Sequence, residues 1–269
     1  MEKIKWPNGH SSAFTISFDV DGSCRDEFML KNTTGVVSAG DYGPKVGVPR
    51  VLDMLDKLNC KATFHVPGRT AERYPARIKE IVDRGNEVAA HGFWHQDLSK
   101  LSEKDEWEEQ TKAHKVLIEV TGTPPKGFRT PGGPLTPRSL EIISKLGYIY
   151  DSSSFMDYFP SRVKINGKEI DMAELPMSWI GDDMPFFWGG VLRGAFVPLS
   201  GFDDALKYWK AEFNGIHKIG GMMIFANHPR CCGRPSRLRV LEKFIRHVKA
   251  TPGVWFSTQL EVAEFVLGK

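Results

Sequence analysis

Ala13-Phe14-Thr15-Ile16-Ser17-Phe18-Asp19-Val20-Asp21 decides how this chain is read. An apolar, β-rich run ends on one carboxylate and is followed at once by a second. Such a run reads as a strand whose carboxyl end delivers Asp19 and Asp21. A second cluster, His91-Gly92-Phe93-Trp94-His95, follows another short strand-like segment at 87–90. Polar groups gathered at strand ends are what an active site needs, and a core has no use for them.

Working outward, strand-like and helix-like segments alternate. Residues 48–58 read as a helix, with Pro49 in the first turn and Val51, Leu52, Leu55 and Leu58 on one face. Residues 62–66 form a second strand, and 71–84 a helix stopped by Gly85. Ser102 to Asp105 resembles a capping box that opens a long helix running towards Gly122. Residues 127–129 form a brief strand. Thr136 and Pro137 cap and start a helix that Gly147 ends, and 148–150 lead into Asp151. A helix marked by Leu206, Trp209, Phe213 and Ile216 precedes a strand at 222–226, which delivers Asn227 and His228. A further helix carries Leu238, Leu241, Phe244, Ile245 and Val248. A last strand at 254–256 and a terminal helix close the chain.

This βα alternation, with about seven strands, implies parallel strands and helical crossovers, as a barrel or an open sheet. The 269 residues, 41% hydrophobic and 26% charged, are enough for one large domain, and 1–269 is taken as a single barrel domain. Residues 155–199, rich in Pro, Gly, Met and aromatics, break the rhythm as an irregular insertion near the site. The four glycines between 35 and 47 read as a turn-rich loop.

A net charge of +3, from 36 basic and 33 acidic residues, is too balanced for nucleic acid or a membrane surface as the main partner. No apolar run approaches the ~18 residues of a membrane span. The first ten residues hold no apolar h-region, so a cytoplasmic protein is expected. Cys24, Cys60, Cys231 and Cys232 form no CxxC pattern and read as reduced thiols.

In a βα barrel the strand ends place Asp19, Asp21, His91, His95, Arg129, Asp151 and His228 at one mouth. Two His and one carboxylate leave positions open on a metal for water and substrate. Such an ion lowers the pKa of bound water to about 7 and polarises a carbonyl. A second carboxylate can take the water proton, a separate His can protonate a departing amine, and an arginine can hold the carboxylate by paired charge-assisted bonds. The ensemble describes metal-assisted hydrolysis of an amide-type bond.

Ser17-Phe18-Asp19-Val20-Asp21, His91-Gly92-Phe93-Trp94-His95, Phe128-Arg129-Thr130-Pro131-Gly132-Gly133, Tyr150-Asp151 and Asn227-His228 resemble, in order, the motifs of the polysaccharide deacetylases (NodB-homology domain, carbohydrate esterase family 4). The resemblance spans roughly 13–260 and implies a distorted (β/α) barrel of about seven strands. It also implies roles: Asp19 as base, Asp21, His91 and His95 as metal ligands, Arg129 as the group orienting the base, His228 as acid, and Asp151 as a carboxylate that tunes or orients catalytic groups. Zinc is the metal expected, and cobalt, nickel or manganese also suit the set.

The opening motif lacks the consecutive carboxylates of sugar-acting members, Gly92 stands where Ser or Thr is usual, and no export signal is seen. The chain therefore looks closest to the intracellular subgroup of allantoinase-like, cyclic-imide hydrolase and peptidoglycan deacetylase-like proteins. That implies a small-molecule or amino-sugar substrate and a homo-oligomer, the tetramer being the form to which the subgroup's members tend. Trp179, Asp182, Asp183, Phe186, Phe187 and Trp188 line or cover a pocket, or else are buried under the insertion or in a subunit contact. Trp179, Asp183, Phe187, Trp188 and Pro131 are the substrate-binding candidates. His65 and His114 read as structural, His10, His217 and His247 as surface residues. Arg193 and Arg230 can bind a polar substrate or form loop salt bridges. Two other classes remain: a non-haem iron oxygenase, for which Asp19, Arg129 and His228 are redundant, and a catalytically silent carbohydrate-binding module.

Overall fold

In the computed structural model the described residues are 4–30, 34–187 and 201–269. The chain forms β1 (Ser12–Asp19), α1 (Cys24–Leu30), α2 (Thr34–Tyr42), α3 (Val48–Leu58), β2 (Thr63–Val66), α4 (Gly68–Arg73), α5 (Pro75–Asp83), β3 (Glu87–Ala90) and α6 (Glu103–Thr121). It continues through β4 (Gly127–Phe128), α7 (Pro137–Lys145), β5 (Tyr150–Asp151), β6 (Ser161–Ile165), β7 (Lys168–Glu174), α8 (Met184–Phe187), α9 (Phe202–Ile219), β8 (Met222–Asn227), α10 (Pro229–Cys232), α11 (Pro235–Ala250), β9 (Val254–Ser257) and α12 (Gln259–Leu267).

Among the described residues nine strands make one curled sheet in the order β6-β7-β5-β4-β3-β2-β1-β8, with β9 beside β1. All pairings are parallel except β6 with β7. β8 lies along one side of β1, while β9 and β2 share the other side end to end. Parallel strands need crossovers, and the helices supply them. Beyond β7 the chain crosses to the far edge, where Asp182 pairs with Ala226 in one parallel bridge. That crossing turns the open sheet into a distorted barrel. It depends on Gly181, where a Cβ would lie 2.7 Å from the Ile224 carbonyl oxygen.

Alternation along β1 sorts the two faces. Phe14 packs against Phe213 of α9 and Phe244 of α11, and Phe18 stacks on Phe64. With Ile16 they belong to the large buried cluster between sheet and helices. Thr15, Ser17 and Asp19 face the other way, into the barrel. That interior holds a smaller apolar cluster that includes Ala13, Ala89, Tyr150, Met222, Ile224 and Ala226, with buried polar groups above it.

Most of the expected elements appear within a residue or two. α3 and β3 have the expected bounds. α6 is capped by Ser102, whose Oγ accepts the Asp105 N–H and donates to Asp105 Oδ2, and by Gly122 at its other end. Three stretches differ. The expected helix at 71–84 is two helices, broken at Tyr74 because Pro75 supplies no N–H and starts a new first turn. Residues 155–199, expected to be irregular, contain the β6–β7 hairpin, which adds two strands to the seven read from the sequence. Residues 35–47, read as a loop, are α2 and a π turn (Gly43–Gly47) that runs into α3. Two of their glycines permit close approach of backbones: a Cβ on Gly40 would lie 2.5 Å from Gly22 O, and one on Gly47 2.2 Å from Pro229 O. This helical segment is thereby pressed against the turns that follow Asp21 and His228. No helix among the described residues is long and apolar enough to cross a membrane.

Candidate active site

Register brings the strand ends together. Asp19 pairs with His65 across β1 and β2, Ala90 with Phe128 across β3 and β4, Phe128 with Asp151 across β4 and β5, and Phe18 with Asn227 across β1 and β8. Asp19, His91, Arg129, Asp151 and His228 therefore emerge on one rim, with Asp21 and His95 on the turns just beyond.

Three of these side chains converge on one point. Asp21 Oδ1 lies 3.4 Å from His95 Nε2 and 3.7 Å from His91 Nε2. Asp21 Oδ1 is buried without a hydrogen-bond partner. His91 Nδ1 is 2.7 Å from the Arg129 carbonyl oxygen. A carbonyl only accepts, so Nδ1 carries the proton and Nε2 turns its lone pair towards Asp21. Burial pushes His91 down to about 4, which favours that neutral form. Asp21 is held well below the usual carboxylate range, because His95 and the other imidazoles outweigh the opposing effect of burial. Two imidazoles, an orphaned carboxylate oxygen and ligand atoms within 4.8 Å of one another fit a divalent cation with open positions.

Asp19 is bound by an arginine beside that point. Arg129 Nη1 donates to Asp19 Oδ1 at 2.6 Å and to Ser17 Oγ at 3.0 Å, and its other nitrogens donate to Ser152 O and Ser152 Oγ. Burial opposes the charge of Asp19, but Arg129 first and then the neighbouring imidazoles keep its pKa below the ordinary value. Its free oxygen, Oδ2, lies 3.9 Å from both His91 Nε2 and His228 Nε2. An ionised carboxylate in that position can accept a proton from a group held between the two rings.

His228 is held by a carboxylate that the sequence reading assigned to substrate. Asp183 Oδ1 accepts both His228 Nδ1–H, at 2.8 Å, and the His228 backbone N–H, at 3.1 Å. Asp182 Oδ1 stands 3.7 Å from Nδ1 and accepts the Met184 N–H. Burial disfavours the imidazolium, yet Asp182 and Asp183 outweigh it and raise His228 to about 10. These three also form a metal-sized cluster. Asp183 Oδ2, like Asp21 Oδ1, is buried without a partner, but Asp182 Oδ1 and Asp183 Oδ1 already accept N–H groups and His228 Nδ1 spends its proton on Asp183. The arrangement suits a proton-donating imidazolium better than an ion.

The remaining candidates fall in different places. Asp151 is fully buried, and its carboxylate is bound by its own turn and not by His228. Its oxygens accept Ser153 Oγ and N, and Glu174, whose pKa is raised by burial and by Asp151, lies against it. Phe187 packs on Trp209 in the core and lines no open surface. Trp179 is exposed and stacks on Phe155, with centroids 4.5 Å apart. Phe155 borders Gly133 on the loop after Arg129. Pro131, buried on that same loop, lies beside Gly92. Trp188 and Arg193 lie outside the described residues. Arg230 Nη2 is 3.4 Å from Asp26 Oδ2. His65 is buried with Nε2 on Gln259 Oε1, and His114 meets Tyr148. His217, read as a surface residue, bonds Ser12 Oγ. All four thiols are buried and unpaired, and burial drives Cys231 and Cys232 far from thiolate formation.

Sequence reasoning missed the orienting contact of Asp183 and the Ser152 bracket on Arg129. The first arises only when the chain crosses back to β8. The second was signalled by Ser152 and Ser153 following Asp151 directly, since hydroxyls at a strand end seldom lack partners.

Comparison with known proteins bears on the family and the fold. The polysaccharide deacetylase family profile matches residues 32–150. A crystal structure of an inferred polysaccharide deacetylase from Mycobacterium smegmatis superposes with a TM-score of 0.92 at 33% identity, covering 100% of this chain and 94% of that one. A Helicobacter pylori protein named peptidoglycan deacetylase is 28% identical over 94% of each chain. The Puue allantoinase structure, at 24% identity and a TM-score of 0.84, covers 98% of this chain and 93% of its own and shares the fold. With the barrel, the ordered motifs and a full-length relative in agreement, the chain belongs to the polysaccharide deacetylase (NodB-homology) family.

Proposed function

We propose that this protein is a metal-dependent hydrolase of non-peptide carbon–nitrogen bonds that removes the acetyl group from an amino sugar of the peptidoglycan type. The observation that carries the reading is Asp19 Oδ2, set 3.9 Å from both His91 Nε2 and His228 Nε2 and held there by Arg129. The H. pylori relative, matched along almost its whole length, supports the substrate class.

Asp21, His91 and His95 would hold the ion, of which zinc is the expected identity. A bound divalent ion supplies Lewis acidity and water of lowered pKa at that point. Asp19 takes the proton of the attacking water through Oδ2. Arg129 keeps Asp19 charged and fixes its angle. His228 gives its Nε2 proton to the departing amine, and Asp183 holds the ring with Nδ1 protonated. Asp151 acts at a distance, through the Ser152–Ser153 turn that brackets Arg129. Trp179 and Pro131 border the mouth where a sugar ring would lie.

A second reading, ring opening of a small cyclic amide or imide, needs the same residues. The flat Phe155–Trp179 pair favours it, since stacked rings accept a planar ligand face. An iron oxygenase would leave Arg129–Asp19 and Asp183–His228 without a task.

One assay separates these. Zinc-loaded protein is incubated with peptidoglycan fragments, chitooligosaccharides, allantoin and simple cyclic imides, and acetate or ring-opened product is measured. Metal-dependent acetate release is expected. Ring opening alone would transfer the reading to cyclic amides, and oxygen consumption with iron would replace it.

The acid has its own test. Asp183→Asn removes the charge beside Nδ1 and should lower the His228 pKa by about 1–3 pH units. An acid must be protonated to act, so activity is lost as pH rises through its pKa. The alkaline limb of the pH–rate profile should therefore move down in Asp183→Asn. A limb that stays in place would remove Asp183 from the orienting role.

A further inference from the structure

Glu109 is a buried carboxylate, 8% exposed, that none of these roles uses. It projects from α6 into the loop between the two histidines. Its Oε1 accepts the Phe93 N–H at 3.1 Å and the Trp94 N–H at 2.6 Å, and Oε2 faces Gln96 Nε2 at 3.4 Å. The opposite side of the loop is held by the start of α4: Gly68 N donates to Gly92 O at 2.8 Å and Arg69 N to Phe93 O at 3.0 Å. Phe93 is fully buried, with Lys112 Nζ 3.8 Å from its ring centre.

This loop needs holding. Gly92 has φ +66° and His95 φ +57°. A left-handed backbone is unfavourable for a residue with a side chain, and it persists where its surroundings over-determine it. Gly92 offers no side chain to brace the turn. Were the Phe93 and Trp94 amides released, His95 would relax towards negative φ and its ring would leave Asp21 Oδ1.

We propose that Glu109 is the positioning residue of the metal-binding loop: by accepting two consecutive amides it fixes the left-handed turn that aims His91 and His95 at one oxygen of Asp21. The inference rests on the reading of Asp21, His91 and His95 as ligands. Glu109 acts from a separate helix, by hydrogen bonding, and an amide oxygen at the same place can do the same work.

The full-length chain is stripped with chelator and titrated with Zn2+ and Co2+ against a chromophoric competitor. Glu109→Gln keeps an acceptor at Oε1 and should bind zinc within about threefold of the parent protein. Glu109→Leu should bind about 10–100-fold more weakly, as expected when a partner behind the ligands is lost, and its Co2+ visible spectrum should change. Parent-like affinity and spectrum in Glu109→Leu would overturn the proposal. Hydrogen exchange on the unsubstituted, metal-free chain gives a test that needs no variant. The Phe93 and Trp94 amides should exchange slowly, and exchange at the rate of an open loop would also overturn it. Failure of the parent protein to bind either ion would bring down the ligand reading and this proposal together. Parent binding with an indifferent Glu109→Leu would remove Glu109 alone.

Discussion

Asp19→Asn is expected to lower turnover by about 10²–10⁴-fold, the usual worth of a positioned general base, while bound metal stays stoichiometric. Asn has the same shape and keeps an acceptor for Arg129, so the guanidinium retains partners in Ser17 and Ser152. What disappears is the negative charge, and with it the atom that can take a proton between His91 and His228. The proposed ligand atoms of Asp21, His91 and His95 do not include Asp19, so the ion should remain. The measurement is metal content by elemental analysis beside kcat on the same preparation. Full activity in Asp19→Asn would remove Asp19 as base, and loss of metal would make it a ligand. The ion pair adds a stability cost: breaking a buried pair costs about 3–5 kcal/mol, less where the replacement still accepts a hydrogen bond. Melting curves must therefore accompany the kinetics.

The groups that sequence made legible share one property: each stands at the end of a recognisable strand. β1 announces Asp19 and Asp21 through its apolar run, β3 announces His91, and β8 announces His228. A parallel sheet then carries all of them to one rim without any knowledge of side-chain contacts. What sequence hid depends on long-range crossing. Asp183 reads as one acid among aromatics, and only the Asp182–Ala226 bridge brings it under His228. Glu109 sits in a helix rich in acids, and the loop amides that it caps cannot be inferred from spacing. Phe187 followed the aromatic pattern of a pocket, yet packing on Trp209 makes it core. Large apolar residues near a site are ambiguous because burial and ligand contact both select them. The helix at 34–42 was masked by its glycines, which lower helix propensity but here permit backbones to touch.

His95→Ala and His228→Ala should part company, and the parting decides which of two clusters holds the ion. Both Asp21–His91–His95 and Asp182–Asp183–His228 are metal-sized. Removing His95 takes away one of the three proposed ligands and also frees a backbone held at φ +57°. Metal affinity should fall by more than the roughly 10–100-fold that loss of a partner behind the ligands costs, and the protein should emerge from dialysis empty and inactive. His228→Ala deletes an imidazole that already donates to Asp183 and whose pKa is raised to about 10. A ring protonated on both nitrogens has no lone pair to give an ion. Its loss should leave metal content unchanged and slow turnover by about 10²–10⁴-fold. The deficit should shrink when the leaving amine is replaced by one that departs without a proton. Equilibrium dialysis with zinc, followed by assay on activated and unactivated amides, reads both effects. If His228→Ala loses the ion while His95→Ala keeps it, the ion belongs to the acidic cluster on the crossing strap, and the acid must be sought elsewhere. If both keep it, neither histidine is a ligand, and the case for metal-assisted hydrolysis built on this rim is lost.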